Sequence, residues 1–175
     1  MFTLYPLFNH FYSSYQQDKL QAAFKDATPD TAAPAGEPAA PAQPPAPREF
    51  KEALLEAPSI KLSRVVRKGT STEVLAEGPG WYEESVLPGE GNTAIAGHLN
   101  TDGSPFRRVP QLKPGDSVKL TFEDRTYEYR VERVFTIDST DWSVIGPCGY
   151  SALTLTTCIA GDSKHRLVVR AAEVK

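Results

Sequence analysis

The sequence lacks several features that mark common protein classes. No Lys/Arg-rich run occurs and the net charge is −3, which argues against a nucleic-acid-binding protein. The two cysteines, Cys148 and Cys158, are too few for a disulfide scaffold, although they could form one bridge or both stay free. No continuous apolar stretch reaches the roughly 20 residues of a membrane-spanning helix, and no signal-peptide pattern is present. At 175 residues, the sequence has room for one globular domain and some additional segments.

The first of these segments, residues 1–27, is rich in aromatic residues. Its opening, MFTLYPLFNHFYSSYQQ, resembles the aromatic belt beside a membrane span. Residues 13–27 predict a short helix, because apolar residues recur at helical spacing. Two interpretations stay open here: a partly ordered amphipathic start, or a juxtamembrane segment whose transmembrane anchor lies upstream.

A spacer separates this start from the rest of the sequence. Residues 28–47, TPDTAAPAGEPAAPAQPPAP, contain many prolines and alanines and almost no large apolar residues. Such a composition cannot build a core and favours extended, semi-rigid chain. We therefore expect a domain boundary near residue 48, with residues 48–175 forming the folded domain.

Residues 48–175 predict an all-β domain. Short runs alternate between apolar and polar residues, and Pro-Gly or Gly-Asp pairs separate several of them. The segment SPFRRVPQLK, residues 104–113, could hold one helical turn. A chain with many strands and little helix predicts a small β-barrel or β-sandwich. The strand candidates are 59–66, 93–97, 116–122, 125–137, 151–158 and 166–174.

Period-2 alternation puts three reactive side chains at strand ends, on the side away from the core. Leu153 and Leu155 share the apolar face of their run, so Cys158 points away from it. Arg166 and His98 turn away from the apolar face of their own runs in the same way.

These three side chains could form a catalytic site. If the loop 159–165 joins the last two strands into an antiparallel hairpin, Cys158 and Arg166 flank its mouth. A cysteine needs a base to become a strong nucleophile, and histidine titrates near neutral pH. Attack on a peptide carbonyl creates an oxyanion, which the five N–H donors of a permanently charged arginine can stabilise.

The residues alone leave other interpretations open. The cysteine could be structural, or a Cys148–Cys158 disulfide could remove the nucleophile. His165 is a second candidate base, and Arg170 shares a face with Arg166. A zinc site is conceivable but has no close pair of cysteines to support it; its ligands would be Cys148, Cys158, His98 and His165.

The motifs that carry these residues resemble the sortase family of cysteine transpeptidases, in the family's order and spacing. The run TLTTC resembles the signature that ends in the nucleophilic cysteine, and its LTLTTC form is most similar to class D or class E sortases. The similarity covers residues 58–174. The matching segments are TLTTC (154–158), AIAGH (94–98), HRLVVRA (165–171), GPGWYEESVLPGEGN (78–92), Phe106 and Leu112–Asp116.

The resemblance implies a role for each candidate. Cys158 would be the nucleophile, His98 the general acid/base and Arg166 the stabiliser of the oxyanion or substrate. It selects His98 over His165 and the first arginine over Arg170. Thr157, just before the cysteine, would touch the substrate.

The resemblance also implies a fold and an activity. The fold would be a closed eight-stranded β-barrel with no obligatory cofactor. The enzyme would cleave an LPxTG-like C-terminal sorting signal between Thr and Gly, hold the acyl group as a thioester, and pass it to an amine of a cell-wall precursor or a pilin. The enzyme would be located on the extracytoplasmic face of a bacterial membrane. A hydrolytic cysteine peptidase and a non-catalytic peptide-binding barrel are the alternatives.

Overall fold

A closed β-barrel forms the folded part of the chain. The computed structural model describes residues 21, 48–100 and 103–175. The strands join in the order β1-β2-β3-β4-β7-β8-β6-β5, and β5 returns to β1 to close an eight-stranded barrel. This confirms the all-β, closed-barrel prediction. The strands are β1 Glu52–Ala57, β2 Leu62–Lys68, β3 Gly80–Trp81, β4 Asn92–Ala96, β5 Ser117–Phe122, β6 Arg125–Asp138, β7 Ala152–Ile159 and β8 Asp162–Glu173.

Helical structure in the described residues is short. Gln21 is helical, and the α-helix α1 spans Thr72–Glu77 and begins at Ser71, whose hydroxyl accepts a hydrogen bond from the Val74 amide. The helical turn predicted between residues 104 and 113 is a 3₁₀ turn at Val109–Gln111. Two further 3₁₀ turns lie at Pro58–Ile60 and Ser143–Ile145. None of the described helices is long and apolar enough to cross a membrane.

The barrel interior is filled by the apolar side chains that alternate along the strands. Phe50 stacks on Trp81 and Phe122, with ring centroids 4.6 Å and 5.2 Å apart. Leu153 and Leu155 of β7 are also in this core, as their alternation predicts. Because the leucines occupy the inside, Cys158 at the end of the same strand faces outward.

Two strands were not among the sequence predictions. β1 reads EALLEA, and Ala, Leu and Glu favour helices when taken alone. It is a strand here because it pairs with β2 on one side and β5 on the other. β3 is only a two-residue strand, too short to show alternation.

The prediction of a loop over residues 159–165 is wrong. β7 continues to Ile159 and β8 begins at Asp162, so only residues 160 and 161 form the turn. The pairing shifts after Cys158, since Cys158 faces Arg166 whereas the next residue faces Asp162. The extra residues of β8 form a bulge beside the cysteine, and strand bulges often redirect side chains next to functional sites.

The N-terminal predictions fall almost entirely outside the described residues. This holds for the aromatic start, the spacer at 28–47 and the helix at 13–27, apart from Gln21. The amide nitrogen of Gln21 donates a hydrogen bond to the backbone carbonyl of Ser63 in β2, at 2.6 Å. The division into segments 1–27, 28–47 and 48–175 stays a prediction.

Candidate active site

The parallel pair β4–β7 brings the two central candidates to one end of the barrel. Ala96 is in register with Thr156, and each strand runs on in the same direction. His98 and Cys158 each follow that registered pair by two residues, so the histidine and the cysteine emerge at the same level. Polar residues at the carboxyl ends of neighbouring parallel strands meet at one edge of a sheet.

Cys158 and Arg166 form a direct contact. They are paired across the antiparallel β7–β8 ladder, and Nη1 of Arg166 donates a hydrogen bond to Sγ of Cys158 at 3.2 Å. The sulfur carries no disulfide and its residue is exposed. A guanidinium this close to sulfur can interact with negative charge that develops on the sulfur or on a carbonyl oxygen bound beside it.

Close packing fixes the segment that carries His98. Its backbone carbonyl accepts a hydrogen bond from the Phe106 amide at 3.0 Å, and the amide of Gly97 bonds to the carbonyl of Thr156 at 3.1 Å. Gly97 lies against the Phe106 ring so tightly that a Cβ atom there would come within 2.6 Å of ring carbons. Glycine is therefore required for the backbone to approach Phe106 just before the histidine.

Thr157 also holds this segment. It is 3% exposed, and its hydroxyl donates a hydrogen bond to the carbonyl of Gly97 at 2.7 Å. The contact joins the residue before Cys158 to the residue before His98. The role of Thr157 in touching the substrate stays a prediction, and what the geometry adds is a link between the two strand ends.

The three candidates line one cleft of about 200 Å³. Its walls include two aromatic side chains, Tyr82 and Trp142, whose rings meet edge to face with centroids 6.2 Å apart. Trp142 is 57% exposed, so its ring forms part of the open surface of the cleft. An extended peptide could lie between these rings and the reactive groups.

Tyr82 is tied to the strand that carries the cysteine. Its hydroxyl hydrogen-bonds with that of Thr156 at 3.0 Å. Burial raises the pKa of Tyr82, while the hydrogen bond to Thr156 partly offsets the rise, so the phenol keeps its proton at neutral pH.

Sequence reasoning did not select Tyr82, Thr156 or Trp142 as site residues. Alternation does place Thr156 on the same face as Cys158, and Tyr82 lies in the matched segment 78–92. No pattern signals Trp142, because it reaches the cleft through an irregular loop.

The rival residues lie elsewhere. His165 is exposed and its Nδ1 is 2.7 Å from the carboxylate of Asp162, a hydrogen bond that lowers the pKa of that carboxyl group. Arg170 is 4% exposed and donates a hydrogen bond to the backbone carbonyl of Val144 at 2.8 Å, so its side chain stabilises the turn at 143–145. Neither lines the cleft.

The disulfide interpretation is wrong, because both cysteines are free. Cys148 lies before β7, near the end of that strand opposite Cys158, and lines a different cleft. Among the residues that the structure describes, no group of three His, Cys, Asp or Glu side chains could hold a metal ion.

The closed β-barrel that holds a free thiol, an arginine and a histidine in one cleft has the side chains that a cysteine-dependent enzyme needs. Residues 55–174 match the model of the sortase domain, and the chain belongs to the sortase family. Sortases are cysteine transpeptidases of the bacterial cell surface, and as a family they act on proteins with sorting signals and on pilins.

Individual relatives agree with this assignment. Sortase A of Bacillus anthracis is 33% identical over 114 residues, which cover 64% of this chain and 54% of that protein. The structure of sortase E from Streptomyces avermitilis is 36% identical with a TM-score of 0.63, covering 71% of this chain and 89% of that one. The structure of a Clostridium perfringens sortase D5 transpeptidase is 29% identical with a TM-score of 0.66, covering 73% of this chain and 83% of that one. The chain spans about half the length of the curated relatives it matches.

Proposed function

We propose that this protein is a sortase transpeptidase in which Cys158 is the nucleophile, His98 the general acid/base and Arg166 the stabiliser of oxyanion or substrate. The observation that carries the proposal is the 3.2 Å contact between Arg166 and the free sulfur of Cys158, in a cleft that His98 also lines. The substrate is an LPxTG-like sorting signal at the C-terminus of a secreted protein.

In the acylation step, His98 takes the thiol proton of Cys158, and Sγ attacks the carbonyl carbon of the motif's Thr. The electron pair of the carbonyl moves to its oxygen, where the Arg166 guanidinium can donate hydrogen bonds. When the carbonyl re-forms, the bond to the Gly nitrogen breaks and His98 supplies a proton to the leaving amine. The result is a thioester between Cys158 and the acyl part of the substrate.

In the transfer step, the amine of a cell-wall precursor or a pilin lysine attacks the thioester carbon. His98 removes the proton from the incoming amine, a second oxyanion forms beside Arg166, and the sulfur leaves and receives that proton from His98. A new amide bond replaces the thioester and the enzyme returns to its starting state. Water in place of the amine would make the same site a hydrolase.

This chemistry belongs on the extracytoplasmic face of the bacterial membrane, where the secreted substrate and the amine acceptor are both present. Residues 1–27 would connect the barrel to an anchor, and the spacer 28–47 would hold the barrel away from it. An extended polyproline-like spacer gains about 3.1 Å per residue.

The test is to trap the thioester. The protein is incubated with peptides of the LPxTG type, varied at each motif position, in two parallel reactions; the adduct is sought in a rapidly quenched reaction without added amine, and the hydroxamate in a reaction with a strong amine such as hydroxylamine. We expect a mass adduct on Cys158 equal to the acyl fragment, and a hydroxamate product in place of the acid. A folded protein that forms no adduct with any peptide would contradict the proposal.

The ratio of products separates the two enzyme alternatives. With an added amine, a transpeptidase gives mainly the amide, whereas a hydrolytic peptidase gives mainly the free acid at every amine concentration. A non-catalytic peptide-binding barrel keeps its binding after alkylation of Cys158 and gives neither product.

A further inference from the structure

A second and larger cleft lies at the other end of β4 and β7. It has a volume of about 400 Å³ and contains no residue of the catalytic cleft. Its size is within the usual range for ligand-binding pockets. Asn92 at the start of β4 lines it, whereas Ala96 at the end of that strand lines the catalytic cleft.

The same two chain segments form the walls of both clefts. On one side, Tyr82 borders the catalytic cleft and residues 84–86 border the second one. On the other side, Trp142 borders the catalytic cleft and residues 145–151 border the second one. The two clefts therefore follow one another along the outer side of β4, and the turn that Asn92 bonds through the carbonyls of Val144 and Gly146 lies between them, so a peptide that enters both clefts passes over that turn.

The straight distance between the two clefts fits the acyl side of the substrate. From Ala96 to Asn92 is four residues of strand, about 13 Å at 3.3 Å per residue. An extended peptide covers the same distance in about four residues. In the proposed reaction, four motif residues lie on the acyl side of the cleaved bond, so the residues just before the motif would reach the second cleft.

The second cleft carries negative charge. Glu84 and Glu90 line it, and the carboxylate of Glu90 is 3.3 Å from the guanidinium of Arg48. Within the described part of the chain, Glu84 makes no ion pair. Burial is the main cause of the raised pKa of Tyr82, and the negative charge of Glu84 raises that pKa further. An unpaired carboxylate in a cleft attracts a positively charged side chain.

We propose that this second cleft binds the substrate residues immediately N-terminal to the sorting motif and favours lysine or arginine there, with Glu84 as the recognition residue. The inference rests on the proposed function, because it takes the motif and the position of the cleaved bond from it. It extends recognition beyond the motif itself to the adjoining part of the substrate protein.

Peptide binding to the full-length Cys158→Ala variant tests the site without turnover. Three peptides are compared: the motif alone, the motif preceded by Lys-Lys, and the motif preceded by Glu-Glu. We expect the Lys-Lys peptide to bind roughly two- to five-fold more tightly than the motif alone, as for an exposed ion pair. The Glu-Glu peptide should bind more weakly, and high salt should remove the difference.

Matched variants locate the effect. In Glu84→Gln the preference for Lys-Lys over Glu-Glu should fall to about one. In Glu83→Gln the preference should stay at the starting value, because Glu83 lies outside the cleft and faces Lys68 at 3.5 Å. Cys158→Ala leaves Cys148 as the only thiol, so a bulky maleimide on Cys148 should block the cleft and also abolish the preference.

The outcomes separate this proposal from the proposed function. Equal affinity for the three peptides, or a preference that survives in Glu84→Gln, would overturn the subsite even if the wild-type protein cleaves the motif. Failure of all three peptides to bind would overturn it too. A Lys-Lys preference that depends on Glu84 would support the subsite, even if the wild-type protein cleaves none of the peptides.

Discussion

Cys158 and Cys148 are the only thiols of the chain and have different surroundings. Sγ of Cys158 accepts a hydrogen bond from Arg166 in the cleft that His98 also lines, whereas Sγ of Cys148 donates a hydrogen bond to the carbonyl of Tyr150 at 3.3 Å. The same substitution should therefore affect turnover strongly at Cys158 and only slightly at Cys148.

We predict that Cys158→Ala abolishes turnover and that Cys148→Ala largely keeps it. The first change removes the atom that forms the thioester, and the second removes a thiol far from the reacting bond. Product formation from a motif peptide is the measurement, with circular dichroism as the control for folding. A folded Cys148→Ala protein that is also inactive would contradict the assignment of the nucleophile.

Arg166 tests whether the shape of the cation matters as well as its charge. We predict that Arg166→Lys keeps a positive charge but lowers kcat/KM by on the order of 100-fold, because lysine lacks the planar fork of donors. Lys164→Ala in the same strand is the matched control, since its side chain lies outside the cleft. Near wild-type activity of Arg166→Lys would show that the guanidinium geometry is dispensable.

At the scale of single residues, the sequence predicts which way the candidate catalytic side chains point. It does not predict the hydrogen bonds that hold them in place. Alternation sends Cys158 and Arg166 away from the core, because a strand has a fixed period of two. It cannot indicate that the hydroxyl of Thr157 would bond to Gly97, since the two residues are 60 positions apart. Contacts at such separation depend on strand register, which period alone does not give.

At the scale of elements, the end of β4 is held by a close approach between Gly97 and Phe106. We predict that Gly97→Ala lowers the free energy of unfolding by roughly 1–3 kcal/mol, the usual cost of overpacking a core. It should also lower activity, because the backbone before His98 must shift. Chemical denaturation and turnover of the same sample are the measurements.

Gly146→Ala is the control for that change. A Cβ atom at Gly146 would meet only the carbonyl oxygen of Ser143, at an ordinary 3.5 Å. Its stability should change little. If Gly97→Ala and Gly146→Ala had equal effects, close packing against Phe106 would not be the reason for glycine at position 97.

The loop between β6 and β7 is the element that sequence patterns describe least. Asn92, 2% exposed, donates hydrogen bonds to the carbonyls of Val144 and Gly146 at 2.9 Å and 2.8 Å, and accepts one from Thr154 at 2.6 Å. These bonds fasten the loop over the outer side of β4 and β7, so Thr154 is buried although it faces away from the barrel core. An irregular loop has no period, and the sequence therefore does not predict this cover.

At the scale of the whole molecule, the barrel buries phenol groups that resist ionisation. Burial raises the pKa of Tyr129 well above its ordinary value of 10.0, and the charge of Glu173 adds to the rise. Tyr129 is 0% exposed and lies in the barrel core. Burial raises the pKa of Tyr82 in the same direction. The folded barrel therefore holds protons that the unfolded chain releases in alkali.

The difference in the pKa of Tyr129 between the folded and unfolded states determines whether the stability rises or falls with pH. Above pH 10 the unfolded chain loses the Tyr129 proton while the folded barrel keeps it, so the stability falls as pH rises toward the folded pKa. We predict that the free energy of unfolding, measured by denaturant titration from pH 8 to 11.5, decreases above about pH 10. Tyr129→Phe should make this decrease smaller, because phenylalanine has no proton to release. The difference between the two proteins is the decisive quantity, and identical slopes would contradict the role of Tyr129.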